Sequence, residues 1–143
     1  DFKSSNSFLT KNGVIKIGDL NVSKINKLGM AYTQTGTPYY ASPEIWIDKP
    51  YDYKCDMWSL GCILYELCKL KPPFSGTSLK NLCKNIQEGR YEPIPDIYSN
   101  DLKKIIGMLL KTNPDNRPST SLILGCDIIV KKIKELNIIN PMV

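Results

Sequence analysis

The stretch that most constrains this chain is residues 57–68. Met57, Leu60, Gly61, Leu64, Leu67 and Cys68 recur there at helical spacing, and the flanking residues are also apolar. A surface helix carries one apolar stripe. A helix that is apolar on most sides has to be enclosed by other elements, so we expect a buried central helix over 53–69 with a bundle packed around it. Ser59 and Glu66 interrupt the run. The run also falls short of the about 20 apolar residues that a bilayer needs, and no basic start followed by an apolar stretch marks a signal peptide.

The other periodic segments suit that bundle. Pro72-Pro73 stops the central helix. Leu79, Leu82, Cys83 and Ile86 mark a second helix, one stripe wide, ending near Gly89. Leu102, Ile105, Ile106, Leu109 and Leu110 mark a third. Asn113-Pro114-Asp115-Asn116 reads as a turn. Pro118 suits the first turn of a last helical region carrying Leu122, Ile123, Cys126, Ile129, Val130, Ile133 and Leu136, which Gly125 breaks in two. Before the helices lies a β-hairpin over 7–18, with Lys11-Asn12-Gly13 as its tight turn. Between hairpin and bundle, 20–42 shows no periodicity and reads as a long loop with a short strand at its start. A structureless loop of that length in a small domain is usually functional.

Hydrophobic residues make up 42% and charged residues 23%, which fits one globular domain and argues against a disordered tail. The formal charge of +5 is mild. Lys131, Lys132 and Lys134 are the one cationic group, read as the solvated face of a helix; without interleaved aromatics they do not make a nucleic-acid interface. Five cysteines, no histidine and no C-x-x-C leave zinc without its usual ligands, so free thiols in a reducing compartment are expected. The chain starts at Asp1 rather than Met, and we expect a piece of a larger protein.

Chemistry concentrates in the hairpin and loop. Asp1-Phe2-Lys3-Ser4-Ser5-Asn6 precedes the hairpin and Gly18-Asp19-Leu20-Asn21 follows it. Because the hairpin folds back, Asn6 and Asp19 should lie close together. An amide oxygen and a carboxylate converging there suit Mg²⁺ with bound phosphate. Asp1, able to orient a hydroxyl, and Lys3, able to neutralise a phosphoryl group, would stand nearby.

These residues, taken in order, resemble the protein kinases. D-F-K-S-S-N is similar to the second part of their catalytic loop, H-R-D-L-K-x-x-N, and Gly18-Asp19-Leu20-Asn21 sits where that family has D-F-G. Gly36-Thr37-Pro38-Tyr39-Tyr40-Ala41-Ser42-Pro43-Glu44 resembles the substrate-docking loop ending in A-P-E. Asp56-Met57-Trp58-Ser59-Leu60-Gly61 resembles the start of the buried central helix, and Asn113-Pro114-x-x-Arg117-Pro118 the late arginine motif. Within the kinases, Phe8-Leu9-Thr10, the Gly36 to Glu44 stretch and Leu70-Lys71-Pro72-Pro73-Phe74 are similar to the NIMA-related (Nek) family.

The resemblance implies a mainly α fold with a small β-hairpin. It is an incomplete protein-kinase-like fold, the carboxy-terminal lobe only. Residues 1–143 would form one partial kinase domain, from catalytic loop to last helices, with the ATP-binding amino-terminal lobe absent. It implies a Ser/Thr kinase, with ATP and Mg²⁺ as cofactors, a protein substrate and the missing amino-terminal lobe as partners, and neither nucleic acid nor membrane. Location would be cytoplasmic, with cytoskeletal or ciliary sites among the family's themes. Asp1 would be the catalytic aspartate. Lys3 would stabilise the transferring phosphoryl group, Asn6 and Asp19 would hold Mg²⁺, and Thr37 would hydrogen-bond Asp1 and Lys3. Phe8 would form part of the adenine floor, with plain hairpin core as its other reading, and Gly18 would open space beside it. Thr33, with Thr35 competing, would carry an activating phosphate, and Lys24 would be its partner. Glu44 and Arg117 would form a buried ion pair. Asp56 would hydrogen-bond the catalytic loop and Trp58 would pack beneath it. Asn21 replaces the D-F-G glycine, which puts in doubt the flipping of that segment, and Leu20 keeps an apolar side chain for its phenylalanine. The alternative is a pseudokinase or docking module without catalysis.

Overall fold

The Asn12-Gly13 turn folds as its composition dictates. The computed structural model describes residues 2–19 and 38–138. Gly13 takes φ +77°, the Val14 amide donates to Thr10 Oγ1 at 3.0 Å, and β1 (Ser7–Leu9) pairs antiparallel with β2 (Ile15–Ile17). Ser7 faces Ile17, Phe8 faces Lys16 and Leu9 faces Ile15. This ribbon has no core of its own. Phe8 is 57% exposed, and Leu9, Val14, Ile15 and Ile17 are exposed as well. Reading Phe8 as plain hairpin core is therefore corrected: among the described residues no second layer covers this two-stranded ribbon.

Of the expected loop, 20–37, including its short strand, lies outside the described residues. Its end is a 3-10 turn at Pro38–Tyr40 leading into the short α1 (Pro43–Trp46), with Pro43 in the first turn where its missing N–H costs nothing.

The bundle is built on α2 (Lys54–Lys69). Its amino end is tied by Asp52 Oδ1, which accepts from the Lys54 amide at 2.8 Å. It stops two residues before Pro72, where Leu70 turns left-handed at φ +57°. Then come α3 (Leu79–Glu88) and α4 (Asn100–Leu109). Ser78 and Ser99 cap them, their hydroxyls accepting from the third residue on at 3.1 and 3.2 Å. Trp58, Cys62 and Tyr65 of α2 meet Phe74, Leu82, Ile86, Ile94, Ile106 and Leu110 in the main core. Gly61 lets α4 lie against α2: a Cβ there would stand 2.8 Å from Leu109 Cβ.

Four positions differ from expectation. Leu67 of α2 is 65% exposed, so the helix is open on one side at its carboxyl end. Pro118 does not start the last helical region. Ser119 does, capping α5 (Thr120–Leu124) by accepting from the Leu122 amide, because a hydroxyl supplies what the orphan amides need. Gly125 separates α5 from α6 (Asp127–Glu135) as expected, but Leu122 and Leu136 are exposed. All five cysteines are free thiols. Burial, helped by the charges of Asp56 and Glu44, pushes the Cys55 thiol up to about 12.

Candidate functional site

The residues before β1 form a 3-10 turn, Ser4–Asn6. The Asn6 amide donates back to the Lys3 carbonyl at 3.0 Å, and Ser7 Oγ donates to the same carbonyl at 3.1 Å. Asn6 is buried and Lys3 half-buried. The ladder then continues one step beyond the strands: the Gly18 amide donates to the Asn6 carbonyl at 2.9 Å. Asn6 and Gly18 are thus backbone neighbours, and Asp19 follows directly with left-handed φ +54°. Lys3, Asn6 and Asp19 come to one end of the ribbon for a stated reason: the Asn-Gly turn sets the register, and the register sets which residues meet.

Phe8 and Gly18 also meet across the ribbon. A Cβ at Gly18 would stand 2.7 Å from Phe8 Cε2, so the glycine makes room for that ring.

A second group of residues joins this end to the bundle. Tyr40 OH donates to Glu66 Oε2 at 2.7 Å and lies 2.8 Å from Ser4 Oγ. Ser59 Oγ donates to the Tyr40 carbonyl at 2.9 Å. Burial first, and donation to Glu66 second, raise the Tyr40 phenol above its ordinary value, so it stays a donor. Sequence reasoning missed Ser4, Tyr40 and Glu66 as a set. The signal was there in the two polar interruptions of the apolar run: both Ser59 and Glu66 reach Tyr40.

Glu44 and Arg117 form a buried two-point ion pair, Nη1 to Oε1 at 2.7 Å and Nη2 to Oε2 at 2.6 Å. Nε donates to the Lys111 carbonyl at 2.7 Å, Nη1 to that of Lys54 and Nη2 to that of Thr112, each at 3.0 Å. All five guanidinium hydrogens are therefore used. The guanidinium lies 5.2 Å from the centre of the Trp58 ring, which stacks on Phe74. Lys54 Nζ closes the knot on the Arg117 carbonyl. Burial alone would raise the Glu44 carboxyl, but the hydrogen bonds and charge of Arg117 win and hold it below its ordinary range. Gln87 Nε2 donates to the Pro43 carbonyl at 2.6 Å and ties α1 to α3.

Trp58 is fully buried in the main core, against which Tyr40 packs. Asp56 is exposed in the first turn of α2. Asp1, Leu20, Asn21, Lys24, Thr33, Thr35 and Thr37 lie outside the described residues. Among the described residues no group of three or more metal-ligating side chains occurs. A carboxamide and a carboxylate are still a hard-oxygen pair that fits Mg²⁺, which takes one or two protein oxygens and completes its shell with phosphate and water.

Comparison with known proteins follows the same lines. A family model described as protein kinase domain matches residues 1–129. The chain is 49% identical over 126 residues to serine/threonine-protein kinase Nek3 of Mus musculus, covering 87% of this chain and 25% of that protein. It is 44% identical over 137 residues to serine/threonine-protein kinase Nek1 of Mus musculus, covering 94% of this chain and 11% of that protein. It is 40% identical over 140 residues to the G2-specific protein kinase nimA of Emericella nidulans, covering 96% of this chain and 20% of that protein. The chain thus spans a quarter or less of each of these relatives.

Proposed function

The chain belongs to the protein kinase family, and on that premise we propose that it supplies the catalytic-loop and substrate-docking half of a Ser/Thr protein kinase, transferring the γ-phosphate of ATP to protein Ser/Thr. Its relatives named Ser/Thr kinases support the residue class. The observation that carries the reading is the hydrogen bond from the Gly18 amide to the Asn6 carbonyl, which sets Asn6 and Asp19 side by side next to Lys3.

In this reading Asp1 orients the substrate hydroxyl and accepts its proton, and Thr37 holds Asp1 and Lys3 in place. Lys3 places its ammonium against the phosphoryl oxygens as negative charge shifts during transfer. Asn6 and Asp19 hold Mg²⁺, which when bound neutralises phosphate charge. Phe8 lies under the adenine, and Gly18 keeps its ring free to do so. Thr33 or Thr35 carries the activating phosphate, with Lys24 as its partner. Asp56 holds the catalytic-loop backbone from α2. Glu44 and Arg117 hold the substrate-docking loop to the bundle.

The partners are a protein substrate and an ATP-binding lobe carrying a glycine-rich G-x-G-x-x-G loop, which does not occur in the 143 residues, and the lysine that pairs the phosphates. Together with residues 1–143 that lobe completes the domain. No described helix is long and apolar enough to cross a membrane, and the working location is the cytoplasm, with cytoskeletal or ciliary sites as the finer assignment.

The test is phosphate transfer by the parent protein from γ-labelled ATP. Incorporation into Ser and Thr but not Tyr of a peptide library is expected, abolished by Asp1→Asn and by Asp19→Asn in variants with unchanged circular dichroism. A folded protein that transfers nothing would leave the docking-module reading.

A further inference from the structure

We propose that Ser4 is a positioning residue whose hydroxyl ties the turn between Lys3 and Asn6 to the central helix through Tyr40 and Glu66. The proposal rests on the kinase reading above.

The direction of the links follows from counting hydrogens. A phenol has one, and Tyr40 gives it to Glu66 at 2.7 Å. Its oxygen is then an acceptor, so Ser4 Oγ, 2.8 Å away, is the donor. The links run one way, from hydroxyl to phenol to carboxylate, and each polarises the next. Ser59 separately fixes the Tyr40 backbone by donating to its carbonyl. Tyr40 is thus held at ring and backbone whether or not Ser4 is present. The Ser4–Asn6 turn runs straight into the hairpin, whose faces are exposed, and the Ser4 hydroxyl gives it a hold on the bundle. The partners lie 36 and 26 residues apart along the chain, so these bonds fix tertiary placement rather than local shape. Loss of the Ser4 hydroxyl should therefore leave Tyr40 on Glu66 and loosen the turn that carries Lys3 and Asn6.

Ser4→Ala, Ser4→Thr, Tyr40→Phe and the Ser4→Ala/Tyr40→Phe double variant decide this in the parent kinase. Ser4→Ala should lower kcat roughly 3–10-fold, the size one neutral hydrogen bond carries, at unchanged Tm and peptide KM. Ser4→Thr should restore kcat, and the double variant should fall no lower than Tyr40→Phe alone. Wild-type kcat in Ser4→Ala, a loss tracking Tm, or losses that multiply in the double variant would overturn the proposal. If the wild-type parent transfers no phosphate, the kinase reading fails and amide exchange in this chain decides the tether separately. Faster exchange at the Asn6 and Gly18 amides in Ser4→Ala, with the Thr10 amide at the far end of the ribbon unchanged, supports it; equal exchange at all three overturns it.

Discussion

Arg117 shows how much one side chain can hold. Its five hydrogens reach a carboxylate and three carbonyls, contributed by α1, the start of α2 and the segment after α4. Arg117→Ala would leave Glu44 buried and unpaired, and should cost about 3–5 kcal/mol in urea unfolding. Arg117→Lys should recover little, since one ammonium cannot reproduce the two-point fork. The pair also fixes an acid limit. The Glu44 carboxyl is held below its ordinary 4.5 in the folded chain. Its contribution is therefore complete above that value and is lost as pH falls through the lowered folded one. Glu44→Gln, already weakened at neutral pH, should show a flatter decline of stability below about pH 4.5, read by tryptophan fluorescence. The partners are 73 residues apart and no periodicity joins them. Only the motif resemblance made them legible, whereas Tyr40 and Glu66 stayed hidden because a hydrogen bond between distant elements leaves no spacing to read.

Among elements, the helices were the most legible part of the sequence. Apolar spacing placed α2, α3 and α4 within a residue or two, but not the serine caps at three helix starts, which it does not mark. Spacing says less about which apolar side chains end up covered, as Leu67, Leu122 and Leu136 show. Gly61 illustrates what propensity alone misjudges. Alanine is the better helix former by about 1 kcal/mol, yet here its Cβ would press on Leu109 Cβ at 2.8 Å and Leu110 Cδ2 at 2.9 Å. Both neighbours are buried. Overpacking typically costs about 1–3 kcal/mol, so Gly61→Ala should lower the melting temperature despite the gain in propensity.

At the scale of the molecule, the hub at Arg117 and the links at Tyr40 bring α1, α2 and the residues beside the ribbon into one framework. Without a glycine-rich G-x-G-x-x-G loop in these 143 residues, the purified chain should incorporate no label from γ-labelled ATP; measurable incorporation would show that the ribbon end binds nucleotide unaided. The ribbon carries one more consequence. Phe8, Leu9, Val14, Ile15 and Ile17 present oily side chains on a strand pair whose outer backbone groups have no neighbouring strand among the described residues. Such a surface invites copies to stack edge to edge. Light scattering from concentrated solutions should rise steeply with protein concentration, and charge placed at Ile15 should suppress it. For a cell making this polypeptide, prompt coverage of that ribbon would decide between a usable product and chaperone-bound waste.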